Sequence, residues 1–184
     1  MNEISDGEII LLFKSDMQKS FRLLVDRYKE RLYWHIRKML LSHEDTDDVL
    51  QNVFVKVWMN LKDFNSDSKL YTWLYRIATN EALNLIGERK RKVFGNTIEI
   101  SNILEANLES DVYYDGDMIQ TELQKAILKL TDKQRLVFNM KYFDDMKYND
   151  MAEILNLSVG TLKATYHNAV KKIEETLKLI DIVN

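Results

Sequence analysis

Asn149–Ile173, NDMAEILNLSVGTLKATYHNAVKKI, is the stretch whose spacing decides the fold. It divides into a short helical pattern over Asn149–Leu155, a tight turn through Asn156–Ser158, and a longer helical pattern with small residues near its start. Ser158 stands where a hydroxyl can accept from the backbone N–H groups left open at a helix start. Along the longer segment Val159, Leu162, Tyr166, Ala169, Val170 and Ile173 fall on one side and face a core. Lys163, Ala164, His167, Asn168 and Lys171 group on the other side. This is a helix-turn-helix pattern, whose second helix lies in the major groove with its N-terminal half at the base edges. Asn reads adenine through two hydrogen bonds, a small Ala can touch a thymine methyl, and lysines suit phosphates. The same spacing also fits an ordinary helical hairpin with a solvated lysine face, so both readings stand at this point.

Working upstream, Thr131 and Gln134 have capping-box spacing for a helix that carries Leu136, Val137 and Phe138. Leu123, Ile127, Leu128 and Leu130 mark another helix before it, and DDMKYND reads as a turn into the short helix. Between Val93 and Glu122 there is no Lys or Arg, while Glu99, Glu105, Glu109, Asp111, Asp115, Asp117 and Glu122 supply acid. The apolar residues there keep no period, so 93–118 reads as an acidic linker. It separates a helical domain over 1–92 from a second over 119–184.

In the first domain, Leu12, Phe13, Phe21, Leu24, Val25, Tyr28, Leu32, Ile36, Met39 and Leu40 recur at three- and four-residue steps. A short helix followed by a long one is expected. SHEDTDDVLQNVFVKVWMNL opens with a hydroxyl and acids suited to a helix N-terminus, and places Val49, Val53, Phe54, Val57, Trp58 and Leu61 on one face. FNSDSK is a polar loop, and LYTWLYRIATNEALNLIGERKRK is a third long helix ending in a basic cluster. Trp73 and Ile77 on that helix belong mostly to the core. Asn80 and Asn84 extend the same stripe. Asparagines are costly to bury unless bonded, which favours a recognition edge. The basic cluster can equally complement the helix C-terminus.

Composition narrows the function classes. Apolar residues are 46% and charged residues 30%, which describes a globular chain with room for packed cores. Proline is absent and only five glycines occur, so long helices and an all-α fold follow. With no cysteine there is neither a disulfide framework nor a thiolate metal site, in keeping with a cytoplasmic chain. No run approaches the roughly 18 apolar residues of a membrane span, and MNEISDGEII lacks the basic start of a signal peptide. The net charge of −3 excludes a surface coated in positive charge, which leaves basic patches as the route to nucleic acid. His35, His43 and His167 lie in different elements, and Glu44, Asp45, Asp47 and Asp48 lack the glycine and spacing of a calcium loop. No acid, base, nucleophile or metal set converges, so the chain is expected not to be an enzyme and to need no cofactor or metal.

DDVLQNVFVKVW, FNSDSKLYTWLYRIATNEALN followed by ERKRK, and LTDKQRLVFNMKYFDDMKYNDMAEILNLSVGTLKATYHNAVKKI resemble, in that order, the two domains of extracytoplasmic-function sigma factors of the sigma-70 family. The likeness covers about 9–90 and 120–178. It implies an all-α chain in which a sigma region 2 bundle and a sigma region 4 helix-turn-helix are joined by the linker. It also implies a transcription initiation factor that binds core RNA polymerase, on the largest-subunit clamp and the beta flap, and recognises promoter DNA.

The resemblance places roles residue by residue. Asp48, Gln51 and Asn52 would dock on the clamp, with Asn52 standing where the family usually has glutamate. Phe64, Asn65, Ser66, Asp67, Ser68 and Lys69 would form the loop that captures a base flipped from the −10 element. Asn80 and Asn84 would support that loop or read neighbouring bases, while Arg76, Arg89, Lys90, Arg91 and Lys92 would hold phosphates. Ser158, Thr161, Lys163, Ala164, His167, Asn168 and Lys171 would meet the −35 element. Arginine is frequent in the family where Asn168 and Val170 stand, and proline where Thr131 stands. The linker would thread the polymerase channels as a mimic of nucleic acid, or serve as a plain solubilising tether. The family is commonly held inactive by an anti-sigma factor, often membrane-anchored. Rival readings are a stand-alone helix-turn-helix repressor or response-regulator output domain, which leaves residues 1–92 without a task, and a helical adaptor.

Overall fold

Ser5 starts the first helix by a capping box: its hydroxyl accepts from Glu8 N at 3.3 Å, and the Glu8 carboxylate accepts from Ser5 N at 2.6 Å. The computed structural model describes residues 4–13, 15–64, 67–92 and 118–183, with the side chains of 92, 118–120 and 179–183 outside that description. The acidic linker therefore lies outside the described residues, as do Asn65 and Ser66 of the polar loop. Among the described residues every regular element is a helix.

Helices α1 (Asp6–Leu12), α2 (Met17–Leu40) and α3 (His43–Asn60) are followed by a 3₁₀ turn, Leu61–Asp63, and by α4 (Leu70–Lys92). Then come α5 (Met118–Leu128), α6 (Asp132–Tyr142), α7 (Tyr148–Leu155) and α8 (Val159–Val183). Caps explain the breaks. Asp16 accepts from Lys19 N, Ser42 from Asp45 N, and Thr131 shares the expected capping box with Gln134. Ser158 accepts from Thr161 N at 3.0 Å. Leu41 and Asn156 end α2 and α7 in the left-handed region, at φ 55° and 52°. Asn tolerates that conformation, whereas Leu41 strains by about 1–2 kcal/mol and is held there by its own burial at 3% exposure.

α2 packs on α1, α3 and α4, and α3 on α4, around Leu24, Leu32, Ile36, Val53, Val57, Leu74 and Ala78. In the second unit α5, α6 and α7 pack on α8, with Ala126, Ile127, Leu130, Phe138, Ala169 and Ile173 at the centre. α7 also packs on α4, and α6 on α2. Accordingly Leu136, Val137, Met140, Met146, Met151, Ile154 and Leu162 belong to the same buried cluster as the first unit's core. Full burial of such a side chain stabilises by about 1.5–3 kcal/mol, and here that gain is shared between the units. Spacing alone assigned α6 to the second unit, yet the helix divides its apolar residues. Phe138 goes to the inner core, and Leu136 and Val137 go to the shared one.

Trp58 departs from expectation. It is 38% exposed, near the end of α3, with its ring edge toward Phe21 of α2 and the ring centres 5.0 Å apart. Trp73 and Ile77 are half-buried against the core, as anticipated.

Candidate nucleic-acid interface

The face of α8 is built from its start. Thr161 N donates to Ser158 Oγ, the two hydroxyls are 2.8 Å apart, and Leu162 N donates to Ser158 O. This fixes the entry angle of a helix whose Leu162, Ala169 and Ile173 are buried. The geometry then leaves Ser158, Thr161, Lys163, Ala164, His167, Asn168 and Lys171 all exposed on the opposite side. The sequence-derived partition of this helix holds at every one of these positions. Lys163 also lies 5.8 Å from the Tyr148 ring centre, and Lys171 pairs loosely with Glu175 at 3.9 Å.

A second cationic surface lies along α4. Asn80 and Asn84 are exposed, so the cost of burying an amide does not arise. Arg91 is exposed as well, and the side chain of Lys92 lies outside the described residues. Phe64 is half-buried, its ring 5.1 Å from Trp73 and 6.3 Å from Phe13, which anchors the start of the polar loop. Asp67 is exposed and Ser68 half-buried.

The other cations of this surface have acidic partners. Lys69 donates to Asp150 Oδ1 at 2.7 Å and Arg76 to Glu153 Oε1 at 3.2 Å, both acids being on α7. Lys90 pairs with Asp132 at the start of α6, whereas Arg89 reaches Asp45 within its own unit at 2.5 Å. The hydrogen bond from Lys69 to Asp150 raises the ammonium's pKa. Between α4 and α7 an open cleft of about 530 Å³ remains, lined by Arg76, Asn80 and Leu83 on one wall and Ala152–Asn156 on the other.

Deeper in the seam Asp144, in the turn before α7, meets His35 and Lys38 of α2. Burial pushes its carboxyl up, but His35 and Lys38 outweigh that and hold it below its ordinary value. Asn139 Nδ2 donates to Lys38 O at 3.2 Å. Burial also pushes the nearby Tyr75 hydroxyl up to about 12.

On α3, Asp48, Gln51 and Asn52 are exposed together. The same side continues through Val55 and Met59, which are 46% and 64% exposed. The sequence reading passed over these two. Their signal was positional, four and eight residues beyond Gln51 on one helical face. It also passed over the acids Asp132, Asp144, Asp150 and Glu153, whose partners lie in the other unit.

Among the described residues no group of His, Cys, Asp or Glu is arranged to hold a metal ion. No helix there is long and apolar enough to cross a membrane.

Comparison with known proteins agrees with this architecture. Residues 24–92 match Sigma-70 region 2, and residues 120–173 match Sigma-70, region 4. The chain is 30% identical over 174 residues to the ECF RNA polymerase sigma factor SigW of Bacillus subtilis, covering 90% of this chain and 92% of SigW. It is 27% identical to the ECF RNA polymerase sigma-E factor of Escherichia coli K12, covering 96% of each. Its fold is similar to CnrH, solved in complex with the cytosolic domain of CnrY, with a TM-score of 0.68 at 24% identity, over 95% of this chain and 97% of CnrH. It is also similar to the sigma factor RpoE of Bartonella quintana, solved with the anti-sigma factor NepR. That match has a TM-score of 0.69 at 22% identity, over 87% of this chain and 98% of RpoE. The exposed polar face of α8, the cationic side of α4 and these matches lead to one assignment: the chain belongs to the ECF sigma factors of the sigma-70 family.

Proposed function

We propose that this chain directs core RNA polymerase to promoters in the cytoplasm, catalysing no covalent step of its own and using no cofactor or metal. The observation that carries this reading is the α8 face, where Lys163, Ala164, His167, Asn168 and Lys171 are exposed while Leu162, Ala169 and Ile173 anchor the helix from behind. Such a face enters a major groove and meets the −35 element, with Ser158 and Thr161 near the phosphates.

In this reading the unit over 1–92 binds the −10 element and the clamp, 93–118 links, and 119–184 binds the −35 element and the beta flap. Asp48, Gln51 and Asn52 contact the clamp. The Phe64–Lys69 loop receives a flipped −10 base, with Asn80 and Asn84 beside it, and Arg76 and Arg89–Lys92 hold phosphates. Capture of an unstacked base returns the few kcal/mol that flipping costs, so melting needs no ATP. RpoE was solved with the anti-sigma factor NepR, and CnrH with the cytosolic domain of CnrY, which supports control of this chain by an anti-sigma factor. CnrY has a cytosolic domain, which fits a membrane-anchored one.

The test is reconstitution. The purified chain is expected to co-migrate with core polymerase and to confer promoter-specific run-off transcripts. Operator footprints made without polymerase, or no association with the core enzyme, would overturn the reading.

A further inference from the structure

The loop assigned above to base capture runs between two anchors, Phe64 and Leu70. Leu70 opens α4 and is 1% exposed, so that end is fixed by the helix and its core. Phe64 follows the 3₁₀ turn, its N–H donating to Leu61 O at 3.3 Å. Two rings meet its side chain. Trp73 of α4 lies with ring centres 5.1 Å apart, and Phe13 lies 6.3 Å away and edge-on, at 82°.

Phe13 is itself well fixed. It ends α1, where its N–H donates to Ile10 O at 3.1 Å. α1 is tied to α2 by Ser20 Oγ donating to Ile9 O at 2.7 Å, and by Tyr28 donating to Asp6 and Arg27 to Ile4 O, each at 2.6 Å. Ile9 is buried as well. The helix is thus a short strut whose far end is Phe13, and it lies ahead of the segment 24–92 that matches region 2.

We propose that Phe13 is a positioning residue for −10 recognition: its ring edge holds Phe64, the first residue of the capture loop, where an unstacked base is received. This role rests on the function proposed above, because it takes the Phe64–Lys69 loop to be the capture loop. From Asn65 to Lys69 the loop is polar throughout, so it takes its rigidity from packed neighbours at its ends. A loop end ordered before DNA arrives spares binding the cost of ordering it. Phe13 therefore matters only while there is a base to receive. With the pocket empty, a displaced Phe64 weakens nothing.

The experiment uses holoenzyme assembled from core polymerase and the full chain, natural or carrying Phe13→Ala or Phe13→Leu. The probe is a fluorescein-labelled non-template single strand spanning the −10 element of a promoter that the natural holoenzyme selects from a random pool. It is made intact and with one abasic site at each −10 position in turn, and binding is read by anisotropy. The captured base is the one whose removal weakens the natural holoenzyme most. An edge-on aromatic pair is worth a factor of about 2 to 12, so Phe13→Ala is expected to bind the intact strand about fivefold more weakly. That penalty should vanish on the strand lacking the captured base and persist on the other abasic strands. Where Phe13→Ala lowers the circular dichroism melt, Phe13→Leu, which keeps apolar bulk without the ring, carries the same comparison.

A penalty equal on every strand, or none on the intact strand, overturns the role of Phe13. Failure of the underlying reading looks different: no single abasic site then weakens the natural holoenzyme more than its neighbours do, and the loop captures no base.

Discussion

His35 on α2 and Asp144 before α7 meet across the two units, Nδ1 to Oδ2 at 2.9 Å, and the other ring nitrogen lies 2.9 Å from Thr79 Oγ1 on α4. With His35 1% exposed and Asp144 10% exposed, the contact is shielded from water, and Lys38 supplies the nearby positive charge. The carboxylate accepts from both, so one side chain of the second unit ties itself to two residues of α2 and, through His35, to α4. Registry between the units is set here.

Asp144→Asn is expected to destabilise the natural fold by about 1–3 kcal/mol, because the buried His35 and the half-buried Lys38 lose a charged acceptor. Urea unfolding at neutral pH measures it. An unchanged midpoint would mean that water reaches the site and replaces the contact.

The pH dependence follows from the sign of the shift. The folded Asp144 carboxyl lies below its ordinary value of 3.8, so its contribution is complete above that value and fades as pH falls through the lower folded one. The stability gap between the natural chain and Asp144→Asn should hold steady above about pH 5 and close below about pH 4. A gap that widened on acidification would contradict the depressed carboxyl.

On α8, core and reading face should separate cleanly in mutants. Leu162→Ala removes a fully buried side chain and should cost about 2–5 kcal/mol in a urea melt. Asn168→Arg should leave both the melt and polymerase affinity unchanged and alter −35 preference in promoter selection from a random pool. Equal loss on all promoters would count against base readout.

Much of this was legible in sequence, and the reason is periodicity. The α8 partition, the Thr131–Gln134 box and the Ser158 cap depend on residues within four positions of each other, where helix geometry alone decides who meets whom. What escaped depends on partners far along the chain. Nothing in DMAEIL tells that Glu153 finds Arg76, 77 residues away, or that Asp150 finds Lys69, 81 away. Trp58 shows the same limit, since α3's periodicity turned it inward but could not reveal that more than a third of it stays exposed beside Phe21.

Arg89→Ala with Lys90→Ala should weaken holoenzyme binding to every promoter and lower its salt slope by up to about two. Lys90 is paired with Asp132, so its full share of that slope requires that pair to give way to phosphate. A titration from low to high salt reads it, and an unchanged slope would show that neither residue touches phosphate.

Met59→Glu tests the apolar extension of the α3 face. Placing a charge at a side chain 64% exposed should leave the melt within about 0.5 kcal/mol. Core-polymerase affinity should fall about tenfold if Met59 lies in the contact. Full affinity would confine the docking surface to Asp48, Gln51 and Asn52.

The seam is rich in sulfur. Met140, Met146 and Met151 are each 2% exposed or less and belong to the cluster shared by both units. Parting the units brings thioethers toward solvent, where peroxide converts them to polar sulfoxides that no longer suit an apolar contact. Sulfoxide formation at these positions would thus report opening of the seam, and each sulfoxide would hinder its repacking.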